Sequence, residues 1–424
     1  MHRALRFTLV LLIVACSAGV FSSVAGEKSN DPVPQKYSLG IFGNANMDED
    51  VDEEDIAYLQ GIINGTNEPT KLADANNDSI IDETDVSQIE KIIEGSETEL
   101  TIIDSAGRVL TVKLPVDRVV AFNNHQVETM RSIKAEDKIV GVGSDIKNDE
   151  ILSEFYEYPN VESTKNPNYE EILKLNPQVV FLFATFSITE GDAIQDHLKQ
   201  LNPDIKVIRI DTFKPESYVE ETKMLGYLFN KRDESEQFIV FYESWMNSIK
   251  ERVDQIAEDD KPWIYYESRT PYYSAGNGTG HQQKIELAGG RNIFSDQENY
   301  FDVDPESVIK LDPEIIVRLD ADIKGYNTSE TKRLREIHDE ILNRSELANV
   351  RAIKNNAVIV IDNHILGNVR HFIGIGYLAK LFHPEMFKDL DPKAVHQEYL
   401  ARFQRLDYDL DDQGVFIYPP SEEK

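Results

Sequence analysis

The segment Asn168–Pro177 runs directly into the apolar stretch Gln178 to Phe183, and a matching segment, Val303 to Pro313, runs into Glu314 to Leu319. Glu170 aligns with Glu306, Leu175 with Leu311 and Pro177 with Pro313, each pair 136 residues apart. A unit that recurs in this way predicts two like halves. Between them lies Asp233 to Glu258, free of Gly and Pro, with Phe238, Phe241, Tyr242, Trp245, Ile249, Val253 and Ile256 at three- and four-residue steps. That spacing predicts one long helix, roughly 39 Å if unbroken, long enough to bridge two lobes.

At 424 residues the chain exceeds what one hydrophobic core usually organises, so two or three domains are expected. A net charge of -32 argues against nucleic-acid or anionic-membrane partners, which require clustered Lys and Arg. Arg3 and Arg6 precede the short apolar run Phe7 to Ala15, the plan of a secretory signal, so the chain is expected to be exported and cell-surface associated. Two processing sites compete. Ile13 to Cys16 has the form of a lipobox, with Cys16, the single cysteine, as a lipid anchor; Ser23 to Ala25 fits small-residue cleavage.

Residues 44 to 95 carry the most specific motif. Asn44, Asn46, Asp48, Asp52 and Asp55, and again Asp74, Asn76, Asp78, Asp82 and Asp85, occupy positions 1, 3, 5, 9 and 12 of a calcium loop. Hard cations need several oxygens converging from one short loop, and this spacing supplies them together with the position-7 carbonyl. An apolar helical segment follows each loop and ends at Gly65 or Gly95. The pair resembles a type I dockerin module, which implies bound Ca2+ and a cohesin-containing surface protein as partner. Position 6, usually Gly, is Glu49 and Ser79, and the neutral Asn44 opens the first loop, so that loop is expected to be the weaker site.

From Glu99 onward a hairpin (Leu100 to Ile103, Val109 to Leu114) precedes short apolar runs at Val119 to Phe122, Ile139 to Val142, Val179 to Phe183 and Val207 to Ile210. After the long helix the alternation returns at Trp263 to Tyr266, Ile315 to Leu319 and Val358 to Ile361. Strands alternating with helices predict an α/β fold with mostly parallel sheets in two lobes, beside the small all-α calcium module. Asp117 to Phe122, Asp137 to Val142, Asn168 to Phe183, Ile285 to Phe294 and Val303 to Val317 resemble the iron-siderophore and cobalamin binding proteins that feed ABC importers, with Leu287 to Asn292 the most family-specific fragment. The resemblance spans about residues 99 to 410. It implies two lobes joined by a rigid helix, a metal chelate or corrinoid held between them, no catalysis, and one exposed Glu per lobe, Glu170 and Glu306, docking on the permease. The domains expected are a signal peptide (1–25), a linker (26–38), the dockerin-like module (39–97), an N-terminal lobe (98–215), a linking helical segment (216–260) and a C-terminal lobe with a helical tail (261–418).

Open α/β sheets bind ligands at the carboxyl ends of their strands. The loops expected there contain Asn124, His125, Phe186, Arg269, Tyr272, Tyr273, His364 and Arg370. Rings offer apolar contact, Arg pairs with carboxylates or hydroxamates, and His can ligate iron or cobalt. Each of these residues is also ordinary loop chemistry; His125 and Tyr272 follow their strands most closely. A bare zinc or manganese ligand needs three or four convergent His and carboxylates, and the nine His do not cluster along the chain. A secreted enzyme displayed through the dockerin is the remaining alternative, although the chain has no Gly-x-Ser-x-Gly or His-Glu-x-x-His motif.

Overall fold

The computed structural model describes residues 37–419. The signal-peptide and Cys16 readings, and most of the linker, lie outside the described residues. Thirteen strands are present among them: β1 (Glu99–Ile103), β2 (Val109–Lys113), β3 (Val119–Ala121), β4 (Ile139–Val142), β5 (Val179–Leu182), β6 (Lys206–Arg209), β7 (Trp263–Ser268), β8 (Tyr273–Ala275), β9 (Arg291–Asn292), β10 (Tyr300–Asp302), β11 (Ile315–Asp320), β12 (Val358–Asp362) and β13 (Ile417–Tyr418). The N-terminal lobe is built on a parallel sheet in the order β4-β3-β5-β6. The C-terminal lobe is built on β13-β12-β11-β7-β9, parallel except for β13.

Both sheets are covered on both faces, and the side-chain period of two decides which residue goes where. Val119, Ala121, Val179 and Phe181 point into the core shared with the long helix, whereas Val120, Val180 and Leu182 point to a separate outer core with Ile194 and Leu198. The C-terminal lobe repeats the arrangement: Tyr266, Val317, Leu319, Ile359 and Ile361 face inward, and Tyr265, Ile316, Val358 and Val360 face outward. The repeated unit is visible in three dimensions. Helices Tyr169–Leu175 and Pro305–Leu311 each span seven residues, and each ends on a left-handed residue, Asn176 (φ 45°) or Asp312 (φ 47°), before a proline leads into β5 or β11.

The long helix runs from Arg232 to Val253, 22 residues and about 33 Å, not to Glu258 as expected. It ends early because Asp254, Gln255 and Ile256 turn back onto the last carbonyls, with Gln255 and Ile256 in three-residue steps, and Ile256 packs from that turn. Its apolar face serves both halves. Phe238 and Tyr242 meet Tyr218 of helix Pro215–Leu228, while Tyr242 also bonds His371 Nε2 at 3.0 Å, and Trp245 Nε1 donates to the Phe372 carbonyl at 2.8 Å. Gly376 makes room for that indole; a Cβ there would lie 2.3 Å from it.

Residues 37–97 contribute helices Glu53–Ile63 and Glu83–Glu94. The segment is not free-standing. Phe42 and Ile103 exchange backbone bonds with Thr101 and Gly40, Ile41 pairs with Ile102, and Lys223 pairs with Asp50 at 2.7 Å. Leu39, Leu59, Ile89 and Ile92 belong to the same core as the long helix. Among the described residues no helix is long and apolar enough to cross a membrane.

Candidate functional site

The carboxyl ends of β3, β5 and β6 bring together an aromatic group. Asn124 and His125 do not lie in a loop, as expected, but in the first turn of helix Asn124–Ser132, because Gln126 bonds back to the Asn123 backbone and starts the helix at once. The His125 ring lies 5.2 Å from Phe183 and 5.4 Å from Phe213, which meet each other edge to face at 5.5 Å. Phe186 extends the group at 5.9 Å from Phe183 and is 58% exposed, so it stands at the rim. His125 Nε2 bonds Asn368 Oδ1 of the other half at 2.9 Å, its Nδ1 is buried without a partner, and burial pushes its pKa down to about 4.

Opposite stand Arg269, Tyr273, Tyr300 and His281. Tyr273 stacks on Tyr300 at 6.0 Å, and His281 stacks on Tyr266 at 4.8 Å. Arg269, exposed and in a left-handed turn (φ 54°), is near enough to the Asp145 carboxyl of the N-terminal half to oppose the upward push that burial exerts on it. Below them Lys284 projects from helix Gly280–Leu287 toward Phe213, its Nζ 5.8 Å from the ring centre.

Three of the expected cleft residues are engaged elsewhere. Tyr272 lies under the Arg344 guanidinium, at 4.9 Å, and its hydroxyl donates to Glu346 at 2.5 Å; the left-handed backbone at Tyr272 (φ 58°) turns it into the outer core of its own lobe. Arg370 is wholly buried, paired with Glu128 at 2.9 Å and with Asp149. His364 bonds Asp362 Oδ1 at 2.8 Å through Nδ1 and donates Nε2–H to the Asn148 carbonyl at 2.9 Å. Burial would lower its pKa, but the Asp362 bond and the nearby Asp149 outweigh it and push the group up to about 9. Arg370 and His364 therefore tie the two halves together.

Asp149, Glu150 and His364 place ligand atoms within 4.8 Å of one another, the arrangement a bare metal ion would need. Both His364 nitrogens and Asp149 Oδ2 are engaged, which favours an ion-pair seam, whereas Asp149 Oδ1 and Glu150 Oε2 are buried without a partner. A surface cavity of about 400 Å³ lined by Ser329, Glu330, Lys332 and Arg335 shares no residue with the aromatic group or the seam.

The two loops expected to bind calcium differ from one another. In the second, the Asp74 carboxylate accepts from Asp78 N (3.0 Å) and Ser79 N (2.8 Å), with Ser79 left-handed at φ 72° in place of the usual glycine. In the first, Asn44 donates to Leu39 O and Asp48 O and leaves its buried Oδ1 without a partner. Asp55 and Asp85 each accept two backbone bonds inside their loops, and burial pushes Asp55 up to about 7, with Asp48 and Asp52 adding to it. An orphaned carbonyl and a buried carboxylate short of positive charge fit a hard cation. Asn46, Asp48 and Asp52, with Asn76, Asp78 and Asp82, are the residues expected to complete the two donor sets; here Asn46 donates to Asp48 and Asn76 to Asp78.

Glu170 and Glu306 stand in the first turns of the two repeated helices, both exposed and neither engaged by a cation among the described residues.

Sequence reasoning missed Lys284, Phe183 and Phe213. A signal for Lys284 existed: residues 281, 284, 285 and 288 form one face of a helix, and Ile285 and Ala288 mark that face as buried.

Known proteins resemble this arrangement. An uncharacterised lipoprotein of Methanocaldococcus jannaschii is 22% identical over 199 residues, 44% of this chain and 47% of the relative, so the match spans about half of that protein's length. Among solved structures, the FepB periplasmic binding protein of Veillonella parvula aligns with TM-score 0.62 and 22% identity over 75% of this chain and 98% of its own. The molybdate-bound MolA of Haemophilus influenzae gives 0.59 and 19% over 73% and 99%, and Ni(II)-bound CeuE of Helicobacter pylori gives 0.59 and 19% over 73% and 97%. These likenesses establish the fold. The description of one family matches residues 119–365, more than half of the sequence, and on that match the chain belongs to the periplasmic binding protein family.

Proposed function

We propose that the chain is the extracytoplasmic solute-binding component of an ABC importer, which captures a metal chelate of siderophore or haem type, or a corrinoid, and delivers it to the permease. The observation that carries this reading is the aromatic group at the carboxyl ends of β3, β5 and β6, facing Arg269, Tyr273 and His281 across the two halves. Phe186, Tyr273 and Arg269 stay in the proposed cleft; Asn124 supports it through its bond to Asp149 at 3.3 Å. Native mass spectrometry of protein purified from its source is expected to show a bound chelate of definite mass. Recovery of the protein with a polysaccharide fragment or bare zinc would replace this reading with the displayed enzyme or the metal-ion carrier.

Glu170 and Glu306 would dock on the permease, one per lobe. Charge reversal at either should impair uptake with little change in ligand affinity, and equal loss of affinity would move them into the pocket. Residues 39–97 would hold Ca2+ at both loops and offer a face to a cohesin, with the second loop the tighter site. Calorimetric titration with calcium should lose one site in Asp85→Ala; two unchanged sites would remove that assignment. Processing at Ile13 to Cys16 would leave a lipid on Cys16 and processing at Ser23 to Ala25 would remove that residue, and mass spectrometry of the mature N-terminus reads which occurs.

A further inference from the structure

We infer that the cleft selects its cargo by charge, with Lys284 as the anchor for an anion that presents oxygen acceptors, a metal complex or oxyanion whose outer oxygens carry negative charge. The inference rests on the solute-binding reading above and narrows it against uncharged chelates and corrinoids.

The first observation is an inequality among buried cations. Arg131, Arg209, Arg318, Arg344 and Arg370 are buried, and each lies within ion-pair distance of a carboxylate: Glu154, Asp192, Glu267, Glu267 and Glu128 respectively. Lys284 is 1% exposed and has no carboxylate partner, and its Nζ has no hydrogen-bond partner among the described residues. An ammonium taken out of water without compensation is strongly disfavoured, so a fold that retains one has a use for it. The fold does not merely tolerate it on a flexible stem, because the helix that carries Lys284 is fixed by the Thr279 cap and by Ile285 and Ala288 in the core.

The second observation is what surrounds it. The charged and titratable groups facing Lys284 are Lys214, from the N-terminal half, and His125, His281 and His371. Burial holds all three histidines below their ordinary value, hence neutral, and His125 and His281 each keep a buried Nδ1 without a partner. No acid lies within ion-pair distance of Lys284 among the described residues, although Lys214 pairs with Glu216 at 3.7 Å and Arg269 acts on Asp145. Lys214 reaches the same place, since its Cγ would lie 3.4 Å from a Cβ on Gly280, one turn before Lys284. Arg269 adds a third cation at the exposed side. On a chain of net charge -32, Lys284 at this floor is a buried cation with no acid of its own.

The walls specify the rest. Phe183, Phe213 and Phe186 on one side and the Tyr273–Tyr300 stack on the other offer ring faces, and Phe186 and Ile188 are 58% and 52% exposed at the rim. A compact inorganic oxyanion would use only the floor. A ferric catecholate, with negative oxygens at the iron and aromatic rings outside, would use floor and walls together.

Burial, with Lys214 adding to it, pushes the Lys284 pKa down to about 7. An anion arriving beside it favours the protonated form, so binding takes up a proton above that pH. Affinity for an anion should therefore be flat below about pH 7 and fall above it.

The test is calorimetric titration of the full chain at pH 7 and pH 8.5 with four probes: a hexadentate ferric catecholate, molybdate, an uncharged ferric trihydroxamate and cyanocobalamin. The catecholate is expected to bind tightest, with molybdate weaker; the reverse order would keep the charge rule and assign the cargo to inorganic oxyanions. Lys284→Met should weaken the anions at least about tenfold and abolish the pH dependence, while Lys284→Arg retains most of the affinity. An uncharged probe binding as tightly as the anions, or Lys284→Met leaving anion affinity within about twofold, overturns the inference and leaves the solute-binding reading standing. Failure of all four probes to bind overturns both.

Discussion

Two buried cations sit between the halves of this protein, and they are treated in opposite ways. Arg370 lies in a charge-balanced set: Glu128 and Asp149 take its charge, the Tyr326 ring covers it at 5.1 Å, and Tyr399 donates to Glu128 at 2.7 Å, while Arg370 Nη1 and Asp149 Oδ1 keep no hydrogen-bond partner. Lys284 lies in an unbalanced one, with aromatic rings, neutral histidines and no acid within ion-pair distance among the described residues. A satisfied buried ion pair costs its desolvation and returns geometry; removing one partner is what does damage. An unsatisfied one stores that cost until a counter-ion arrives. The seam around Arg370 thus holds the lobes in register, and the floor around Lys284 is left for the cargo.

Mutation should separate the two by sign. Arg370→Met leaves Glu128 and Asp149 buried without their cation and is expected to cost about 3–5 kcal/mol in urea denaturation. Lys284→Met removes an uncompensated charge and replaces it with an apolar chain of similar length, so it should raise the stability of the ligand-free protein by about 1–2 kcal/mol at pH 6. Destabilisation by Lys284→Met comparable to that of Arg370→Met would erase the distinction.

The pH dependence sharpens the same contrast. His364, at the seam, is raised from its unfolded value to about 9, so its stabilising contribution is fully present below about pH 6.5 and is lost as pH rises through 9. Lys284 is lowered to about 7, so it burdens the fold fully below that pH and is relieved as pH rises toward its unfolded value near 10.4. Between pH 7 and 9 the two contributions run in opposite directions. The stability loss of His364→Gln should shrink across this window, and the gain of Lys284→Met should shrink with it. A pH-independent difference for either variant would show that its charge is not what the site responds to.

Much of this architecture was legible in the chain, and the part that was not has a physical reason. The repeat, the alternating strands and the apolar face of the long helix depend on local spacing, and Phe238, Tyr242, Trp245 and Ile249 all pack where their steps of three and four place them. The cleft was harder because it is assembled from side chains whose partners are distant in sequence. Arg370 and His364 follow a strand as binding residues should, and only their contacts with Glu128, Asp149 and Asn148, more than 200 residues away, show that they close the seam. Tyr272 was misdirected by one backbone angle, which no side-chain pattern encodes. Lys284 reads as a solvated lysine unless its helix face is drawn first.

The smallest expected effect is the motion between the halves on binding. Wide hinging needs a few loop residues that absorb the dihedral change. Here the connection is a helix of 22 residues whose Phe238, Tyr242 and Trp245 touch both halves, so bending it would break backbone bonds or pull rings out of a packed core. The seam adds a second tether: Arg131 Nε donates to Gln404 Oε1 at 2.6 Å, Tyr399 bonds Glu128, and His125 bonds Asn368, all between the helix that follows β3 and residues beyond β12. These tethers leave motion to the segments they do not hold, among them the rim residues Arg269 and Phe186, which are exposed. Distance measurements between labels on Lys174 and Lys310, with and without the ferric catecholate, should therefore shift by less than about 5.4 Å, one helical turn. In Arg370→Met the same distribution should broaden, because the seam is cut while the helix remains. A larger shift in the native chain would mean that the seam opens during binding, and Arg370 would then belong to the moving parts and not to the frame.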